Sequence, residues 1–295
     1  MPRRARVALA AAVVGALLLA AIWYVAHYVA FARHADASML YGFIGLGRPG
    51  LDRLTRSIAG LCDPDPFVFL AVGPVLVAFL RGRPRVAVTL AVILLCASET
   101  TELLKPLLAG PRDQVPGNPL SDASWPSGHA TAAMSLCLCW VIAVPSRWRP
   151  AVAAVMAAFA IAVCYSFLEL GWHYPSDVLG GFLVATVWTL LGIAALSVYE
   201  RRRPSPVADA SVSFSLTQAL GPPAVLVAAG LVLAALLAIA DPHGVSSYAH
   251  GHKWFVVGVC AIAVLGFTLA SGVALMLRAS GSARRPADPR PTPQR

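Results

Sequence analysis

Charged residues are scarce in this chain. Asp, Glu, Lys and Arg make up 13% of its 295 residues, whereas 58% are hydrophobic and the mean hydropathy is +0.71. A soluble domain of this length needs far more charge to cover its surface. The composition therefore excludes an ordinary soluble enzyme and indicates a protein that lies within a membrane.

The chain also lacks cysteines that could pair in its loops. Five of the six cysteines lie in apolar runs, and only Cys62 lies clearly in a loop, so we expect packing cysteines and no loop disulfide. Cys137 and Cys139 are two residues apart on a predicted helix, point in different directions and make a poor metal pair. The sequence predicts no metal and no other cofactor.

Eight apolar runs approach or reach the length that crosses a bilayer. Together they predict an all-α, polytopic membrane helix bundle, in which a six-span core is followed by two C-terminal spans. The second run is the weakest, because it is short and contains Gly73-Pro74. The first run follows arginines, as a signal peptide does, but its 24 residues are long for one. The runs cover residues 7–30, 66–80, 86–104, 127–144, 150–168, 177–198, 222–240 and 254–277.

The connecting segments divide the chain further. Residues 31–65 are predicted to be an outer loop, with a short amphipathic helix around Leu51–Leu61 that lies on the membrane or packs against the spans. Residues 201–221 are predicted to be a cytoplasmic linker and residues 279–295 a disordered basic tail. The last outer loop, 241–253, is predicted to be ordinary solvated chain, although it carries His243, His250 and His252.

The net charge of +9 does not indicate nucleic acid, because of where the cations lie. Sixteen of the 23 Lys and Arg residues lie in the N-terminus, in alternate loops and in the C-terminal tail. By the positive-inside rule, both termini are predicted to be cytoplasmic. The remaining loops then face outward from a plasma membrane. From this distribution, the expected partners are membrane lipids.

Polar residues concentrate in two of these outer loops. Pro126 can begin a helix, after which Ser127 and Gly128 present free backbone N–H groups at the positive end of the helix dipole. Lys105 and Arg112, from the same loop, add two positive charges. A phosphate is the anion that such a site favours.

Three further residues carry acid–base chemistry. His173 and Asp177 are four residues apart at another helix start, so the carboxylate can hold one ring nitrogen and leave the other free as a nucleophile. His129, from the neighbouring helix start, can donate a proton to a leaving oxygen. These roles together specify phosphoester chemistry. A zinc pair of His129 and His173 is disfavoured, because no cysteine or carboxylate-rich shell accompanies them.

Two motifs resemble those of the type 2 phosphatidic acid phosphatase family, which also includes undecaprenyl diphosphate phosphatases and vanadium haloperoxidases. The family's first motif is Lys, six residues, then Arg-Pro; Lys105 and Arg112 match it, with Asp113 in place of the proline. The second motif, PSGH, is complete at residues 126–129. The resemblance covers about residues 66–198, the six-span core.

The family's third motif is Ser-Arg, five residues, His, three residues, Asp. Ser166, His173 and Asp177 match it, but Phe167 replaces the arginine that clamps phosphate in the family, and Glu169 adds a negative charge nearby. Losing a charge-assisted contact costs about 2–4 kcal/mol of transition-state binding unless it is replaced. Outer-loop arginines are candidates to replace it, namely Arg48, Arg53 and Arg56.

The resemblance implies a metal-independent phosphatase. His173 would attack phosphorus and form a phosphohistidine, Asp177 would orient it, and His129 would protonate the leaving group. The implied substrate is a prenyl or glycerolipid phosphate or diphosphate at the outer membrane face. The implied ligands of the phosphoryl oxygens are Lys105, Arg112, Ser127, Gly128 and Ser166.

Other interpretations stay open from sequence alone. Lys105 and Arg112 are also typical membrane-edge anchors. Ser166 serves equally as a helix-packing serine. Because Phe167 and Glu169 depart from the family, a non-catalytic protein that binds or moves phospholipids remains an alternative, as does a lipid phosphotransferase with an acceptor hydroxyl in place of water.

Overall fold

The computed structural model describes residues 1–48, 50–203 and 215–278, and it confirms the predicted all-α bundle. Each of the eight apolar runs coincides with one helix to within a few residues. A 3₁₀ turn at Gly60–Cys62 lies between the helices Asp52–Ala59 and Pro64–Leu80. In these residues the helices are α1 (Arg3–Tyr28), α2 (Ala30–Ile44), α3 (Asp52–Ala59), α4 (Pro64–Leu80), α5 (Pro84–Leu107), α6 (Gly128–Ala143), α7 (Arg149–Glu169), α8 (Pro175–Arg202), α9 (Leu216–Ala240), α10 (Pro242–Gly251) and α11 (Lys253–Met276).

Six helices of the described chain are long and apolar enough to cross a membrane: α1, α5, α7, α8, α9 and α11. The α3–α4 pair, bent by 58°, adds a seventh if it forms one broken span. The remaining apolar helix, α6, has only 16 residues. It is nevertheless the centre of the bundle, because 13 of those residues are buried.

Glycines on α8 let it approach α6 closely. A Cβ on Gly181 would lie 2.7 Å from the Ser127 carbonyl oxygen and 2.9 Å from the Thr131 backbone nitrogen. Real Cβ atoms do not approach other atoms so closely, and here the neighbours are backbone atoms that cannot swing away. Gly180 provides the same clearance for the indole of buried Trp125. The helix starts that carry both histidine motifs are thereby held against each other.

We expect Gly181→Ala to lower the free energy of unfolding by about 1–3 kcal/mol, because the added methyl group forces α6 away from α8. Thermal unfolding in detergent, followed by circular dichroism, measures the change. Gly230→Ala on α9 is the matched control, because a Cβ there meets nothing within 4 Å. If Gly181→Ala unfolds at the same temperature as Gly230→Ala, the close packing of α6 and α8 described here is wrong.

Three segments differ from the sequence-based predictions. The outer segment 31–65 contains a 15-residue helix, α2, that was not predicted. The segment 241–253, predicted to be ordinary loop, forms α10, where the Asp241 carboxylate accepts the Gly244 N–H at 2.8 Å. Residues 216–221 of the predicted linker belong to α9. Residues 201–202 of the linker belong to α8. Residues 204–214 of the linker and the predicted tail, 279–295, lie outside the described residues.

The short amphipathic helix is present as α3, and only part of its apolar side faces the bundle. Leu51 and Leu54 are 52% and 58% exposed. Thr55 and Ala59 are buried, and Ile58 packs against the core. The helix therefore contacts the bundle through Thr55, Ile58 and Ala59. Leu51 and Leu54 point outward, where lipid can cover them. All six cysteines are free, and four of them, Cys62 included, are buried.

The two C-terminal spans are packed differently. A Cβ on Gly266 of α11 would lie 3.2 Å from both Ile161 of α7 and Phe182 of α8, so α11 is fitted against the core. The apolar residues of α9 are largely exposed; Val225 and Leu231, for example, are each 67% exposed. The core is thus completed by α11, and α9 lies at its edge.

Candidate active site

Four helix ends meet where the sequence predicted the site. The C-terminal ends of α5 and α7 and the N-terminal ends of α6 and α8 lie at one end of the bundle. A backbone hydrogen bond joins the two motifs directly, because the Ser127 N–H donates to the Asp177 carbonyl at 3.0 Å. The connecting loops are tied together as well, since the Asn118 amide donates to the Gly171 carbonyl at 2.8 Å.

His173 and Asp177 form the predicted pair. The His173 Nδ1 lies 3.3 Å from Asp177 Oδ2, which also accepts the Tyr174 backbone N–H at 3.0 Å. The pair forms because Pro175 begins α8 and places Asp177 in its first turn, facing back toward the residues before the helix. If Nδ1 of a neutral His173 donates to the carboxylate, Nε2 carries the ring's free lone pair.

His129 has a carboxylate partner that the sequence did not reveal. Its Nε2 lies 2.8 Å from Oδ1 of Asp63, the residue immediately before α4. The ring centroids of His129 and His173 are 6.2 Å apart. Two imidazoles, each hydrogen-bonded to its own carboxylate, therefore lie close together at this end of the bundle.

Phe167 lies beside both imidazoles. Its ring centroid is 5.4 Å from that of His173 and 5.8 Å from that of His129, and the side chain is fully buried. The position that carries the family's second arginine is thus an apolar wall of the site. Glu169 is turned toward α3, where the Thr55 hydroxyl lies 3.4 Å from one of its oxygens.

Lys105 reaches the N-terminus of α6. A Cβ built on Gly128 would lie 3.6 Å from Lys105 Nζ and 3.2 Å from Glu102 Oε1, so both charged groups approach the glycine backbone. Lys105 donates to Glu102 at 2.6 Å. Glu102, which was not predicted, is largely exposed and can swing away when an anion binds.

Arg112 has other partners than the predicted phosphate. Its Nη2 lies 2.9 Å from Asp36 Oδ2, 3.0 Å from Asp177 Oδ1 and 3.0 Å from Ser176 Oγ, and its side chain is only 2% exposed. Its Nη1 lies 3.2 Å from His27 Nε2. In the structure, Arg112 therefore supports the carboxylate of the His173–Asp177 pair from behind.

The two serines predicted as phosphate ligands also have hydrogen-bond partners within the protein. Ser127 is fully buried and caps α6, where its Oγ accepts the Ala130 N–H at 3.3 Å. The Ser166 hydroxyl donates to the Ala162 carbonyl at 2.9 Å, within α7. Contact with a phosphate would require Ser166 to give up this bond, whereas Ser127 can cap the helix and still donate its own hydroxyl hydrogen.

Besides Glu102, sequence reasoning missed Asp36 on α2, His27 near the end of α1 and Asp63 before α4. Each of these three is a polar residue in or beside an apolar segment, and such residues are costly in a membrane protein unless they have a partner. That signal could have drawn attention to them. Their partners could not have been identified, because the contacts join residues 66 to 140 positions apart.

Burial raises the pKa of Asp36 to about 6, although the adjacent Arg112 guanidinium acts in the opposite direction. The Arg112 guanidinium and the two hydrogen bonds from Ser176 favour the ionised form of Asp36. Within residues 1–48, 50–203 and 215–278, no group of three or more His, Cys, Asp or Glu is placed to hold a metal ion.

The fold and the site together define a polytopic membrane protein with a paired His–Asp centre at one end of its bundle. Residues 67–203 match the family model described as the PAP2 superfamily, so this part of the chain resembles type 2 phosphatidic acid phosphatases. The family match supports a phosphatase that acts on a lipid phosphate in a membrane.

A solved structure has the same fold. It is the crystal structure of a transmembrane PAP2 type phosphatidylglycerolphosphate phosphatase from Bacillus subtilis, with a TM-score of 0.52 and 21% sequence identity. The similarity covers 66% of this chain and 98% of that one. No curated protein sequence gives a significant match.

Proposed function

We propose that the protein hydrolyses a prenyl or glycerolipid phosphate or diphosphate through a covalent phosphohistidine on His173. The observation that carries the proposal is the arrangement of two carboxylate-bound imidazoles with centroids 6.2 Å apart, beside the N-terminus of α6. A phosphatidylglycerol phosphate, the substrate class named for the Bacillus protein, is a reasonable first candidate.

The reaction needs two displacements at phosphorus. In the first, the Nε2 lone pair of His173 forms an N–P bond while the P–O bond to the lipid breaks, and the leaving oxygen takes a proton from His129. In the second, water attacks the phosphohistidine, its proton passes to His129, and the N–P bond breaks to release phosphate. Asp177 stabilises the positive charge that develops on His173, and Asp63 fixes the orientation of His129.

Lys105 and the Gly128 backbone N–H are the groups best placed to hold phosphoryl oxygens. The helix dipole of α6 and the lysine charge both favour an anion at this position. Arg112, Ser127 and Ser166 remain proposed phosphate ligands, but Arg112 and Ser166 would first have to exchange their present partners. A water-mediated contact would spare them that exchange.

The positive-inside distribution of Lys and Arg supports an orientation for this chemistry. We place both termini in the cytoplasm of a plasma membrane and the site at the extracytoplasmic face. A cysteine introduced at exposed Asp52 should then react with an impermeant maleimide in intact cells. Labelling only after lysis would contradict this orientation.

The central test uses purified full-length protein in detergent with EDTA present. Phosphatidic acid, phosphatidylglycerol phosphate and a prenyl diphosphate are supplied separately, and released phosphate is measured. A ³²P-labelled substrate should also leave acid-labile, base-stable label on the peptide that contains His173. Turnover without EDTA but none with it would contradict a metal-independent reaction.

The alternative functions are outcomes of the same test. Binding of lipid phosphates without release of phosphate would indicate a non-catalytic lipid-binding or lipid-moving protein, an interpretation favoured by the apolar wall at Phe167 and the engagement of Arg112. Transfer of label to an added alcohol in preference to water would indicate a phosphotransferase.

Phe167→Arg is expected to raise phosphate release by about 30-fold, since a charge-assisted contact in the transition state contributes about 2 kcal/mol. The new guanidinium would lie beside both imidazoles, where the phosphoryl group is expected. Initial rates at saturating substrate measure the effect. Phe167→Leu is the uncharged control, and an arginine variant no faster than the leucine variant would show that the missing cation does not limit the reaction.

A further inference from the structure

We propose that Asp36 is a positioning residue, which holds Arg112 and the first turn of α8 and thereby sets the orientation and charge of the His173–Asp177 pair. The catalytic meaning of this role rests on the proposed function. Asp36 lies on α2, outside the segment 67–203 that matches the family and outside the three motifs.

The carboxylate of Asp36 joins three parts of the chain. Its Oδ1 accepts the Ser176 backbone N–H at 3.0 Å, and its Oδ2 accepts the Ser176 hydroxyl at 2.6 Å and Arg112 Nη2 at 2.9 Å. Asp36 is 6% exposed. A buried carboxylate that accepts three such hydrogen bonds fixes the position of every donor, because breaking any of them leaves a polar group unpaired.

Asp36 also anchors the start of α8. The N–H groups of the first helical turn have no partners within the helix, and Asp36 provides one for Ser176. The next residue is Asp177, whose side chain contacts both His173 and Arg112. A shift of this turn would therefore move the carboxylate that orients the proposed nucleophile.

The charges explain why this contact matters for chemistry as well as for position. Arg112 lies between two carboxylates, Asp36 and Asp177. Nδ1 of the neighbouring His27 lies 2.8 Å from the Trp23 carbonyl, to which it can donate a hydrogen bond. Nε2 of His27 then accepts a hydrogen bond from Arg112, and an imidazole that donates through one nitrogen and accepts through the other is neutral. The cluster then has one negative charge in excess, and that charge stabilises a cationic His173.

Removing the charge of Asp36 should reverse this effect. Arg112 and Asp177 would then form a neutral pair, and an imidazolium at His173 would be less stable. The titratable and charged groups that act on Asp36 are Arg112 from the loop after α5 and Tyr174 and Asp177 at the start of α8, and His27 from α1 contacts Arg112. The substitution Asp36→Asn leaves all of them in place.

The first measurement is the pH profile of phosphate release. We expect Asp36→Asn to lower kcat by about 10- to 100-fold with little change in KM, as is typical for groups that orient a reacting side chain. The acid limb of the kcat profile should move to lower pH by about half a unit to one unit. Glu200→Gln makes the same charge change at the other end of α8 and should leave kcat and the acid limb of the profile unchanged.

The second measurement does not depend on turnover. Modification of His173 by diethyl pyrocarbonate, followed over pH by peptide mass spectrometry, reports the titration of its imidazole. The pH midpoint of His173 modification should be lower in Asp36→Asn than in the wild-type and Glu200→Gln proteins. If wild-type protein releases no phosphate, the proposed hydrolysis is wrong, and this titration still decides whether Asp36 acts on His173.

Asp36→Glu covers the case in which the asparagine variant does not fold. It keeps the charge but moves it by one methylene group, so the His173 midpoint should stay at the wild-type pH while kcat falls. A kcat equal to wild type in either Asp36 variant would overturn the positioning role. A His173 midpoint equal to wild type in Asp36→Asn would overturn the electrostatic one.

Discussion

His173→Ala is expected to reduce phosphate release from a lipid phosphate by about 10⁴-fold or more, because the variant has no nucleophile with which to form the covalent intermediate. Release is measured at saturating substrate with EDTA present. The ³²P label should disappear from the protein at the same time. The His173 side chain is 13% exposed, so the unfolding temperature of the variant is measured together with its activity.

The control for this variant is His250→Ala, which removes an exposed imidazole on α10 and should keep wild-type activity. Added imidazole should restore part of the lost activity to His173→Ala, because a small nucleophile can occupy the space left by the side chain. Equal release by His173→Ala and wild type would place the nucleophile elsewhere. Retained label with lost release would assign His173 to the second displacement instead.

Asp177→Asn is expected to reduce kcat by about 10³- to 10⁴-fold, the size of effect seen when an orienting aspartate is replaced by its amide. The two Asp177 oxygens accept from His173, Tyr174 and Arg112. An amide has one acceptor oxygen, so its NH₂ group must face a former donor. If it faces His173, the imidazole adopts the wrong tautomer; if it faces Arg112, a buried guanidinium loses a partner.

Kinetics and stability separate these two consequences. A fall in kcat with an unchanged unfolding temperature would indicate the tautomer effect, and a fall in both would indicate loss of the Arg112 contact as well. Asp52→Asn, an exposed carboxylate-to-amide change in the first turn of α3, is the matched control. Activity in Asp177→Asn within about tenfold of wild type would contradict the orienting role, because such a partner typically contributes more.

Much of this architecture could be predicted because its determinants are local. The apolar runs are continuous, so their helices could be located from hydropathy alone. The His173–Asp177 pair depends on a four-residue spacing around a helix start, and the proposed anion site at the N-terminus of α6 depends on Pro126, Ser127 and Gly128 in sequence. Each of these features is set by residues within a single turn of helix.

The rest depends on contacts between distant segments. Asp36 and Ser176 are 140 residues apart, and Asp63 and His129 are 66 apart. A pattern along the chain can indicate that a carboxylate is unusual, but it cannot identify the donor that satisfies it. Arg112 shows the consequence, because its motif position predicts a phosphate ligand whereas its packing gives it two carboxylates.

The brevity of α6 affects how a lipid would reach the site. Sixteen residues rise about 24 Å, whereas the hydrocarbon layer of a bilayer is about 30 Å thick. An upright α6 therefore cannot extend from one headgroup layer to the other. If its C-terminal end reaches the headgroups of one leaflet, a site at its N-terminus lies below the headgroups of the other leaflet. A phosphate bound there would sit deeper than those of neighbouring lipids, so its acyl chains need not leave the bilayer. Water would have to reach the phosphate at that depth, and the depth would favour long-chain substrates over soluble phosphate esters.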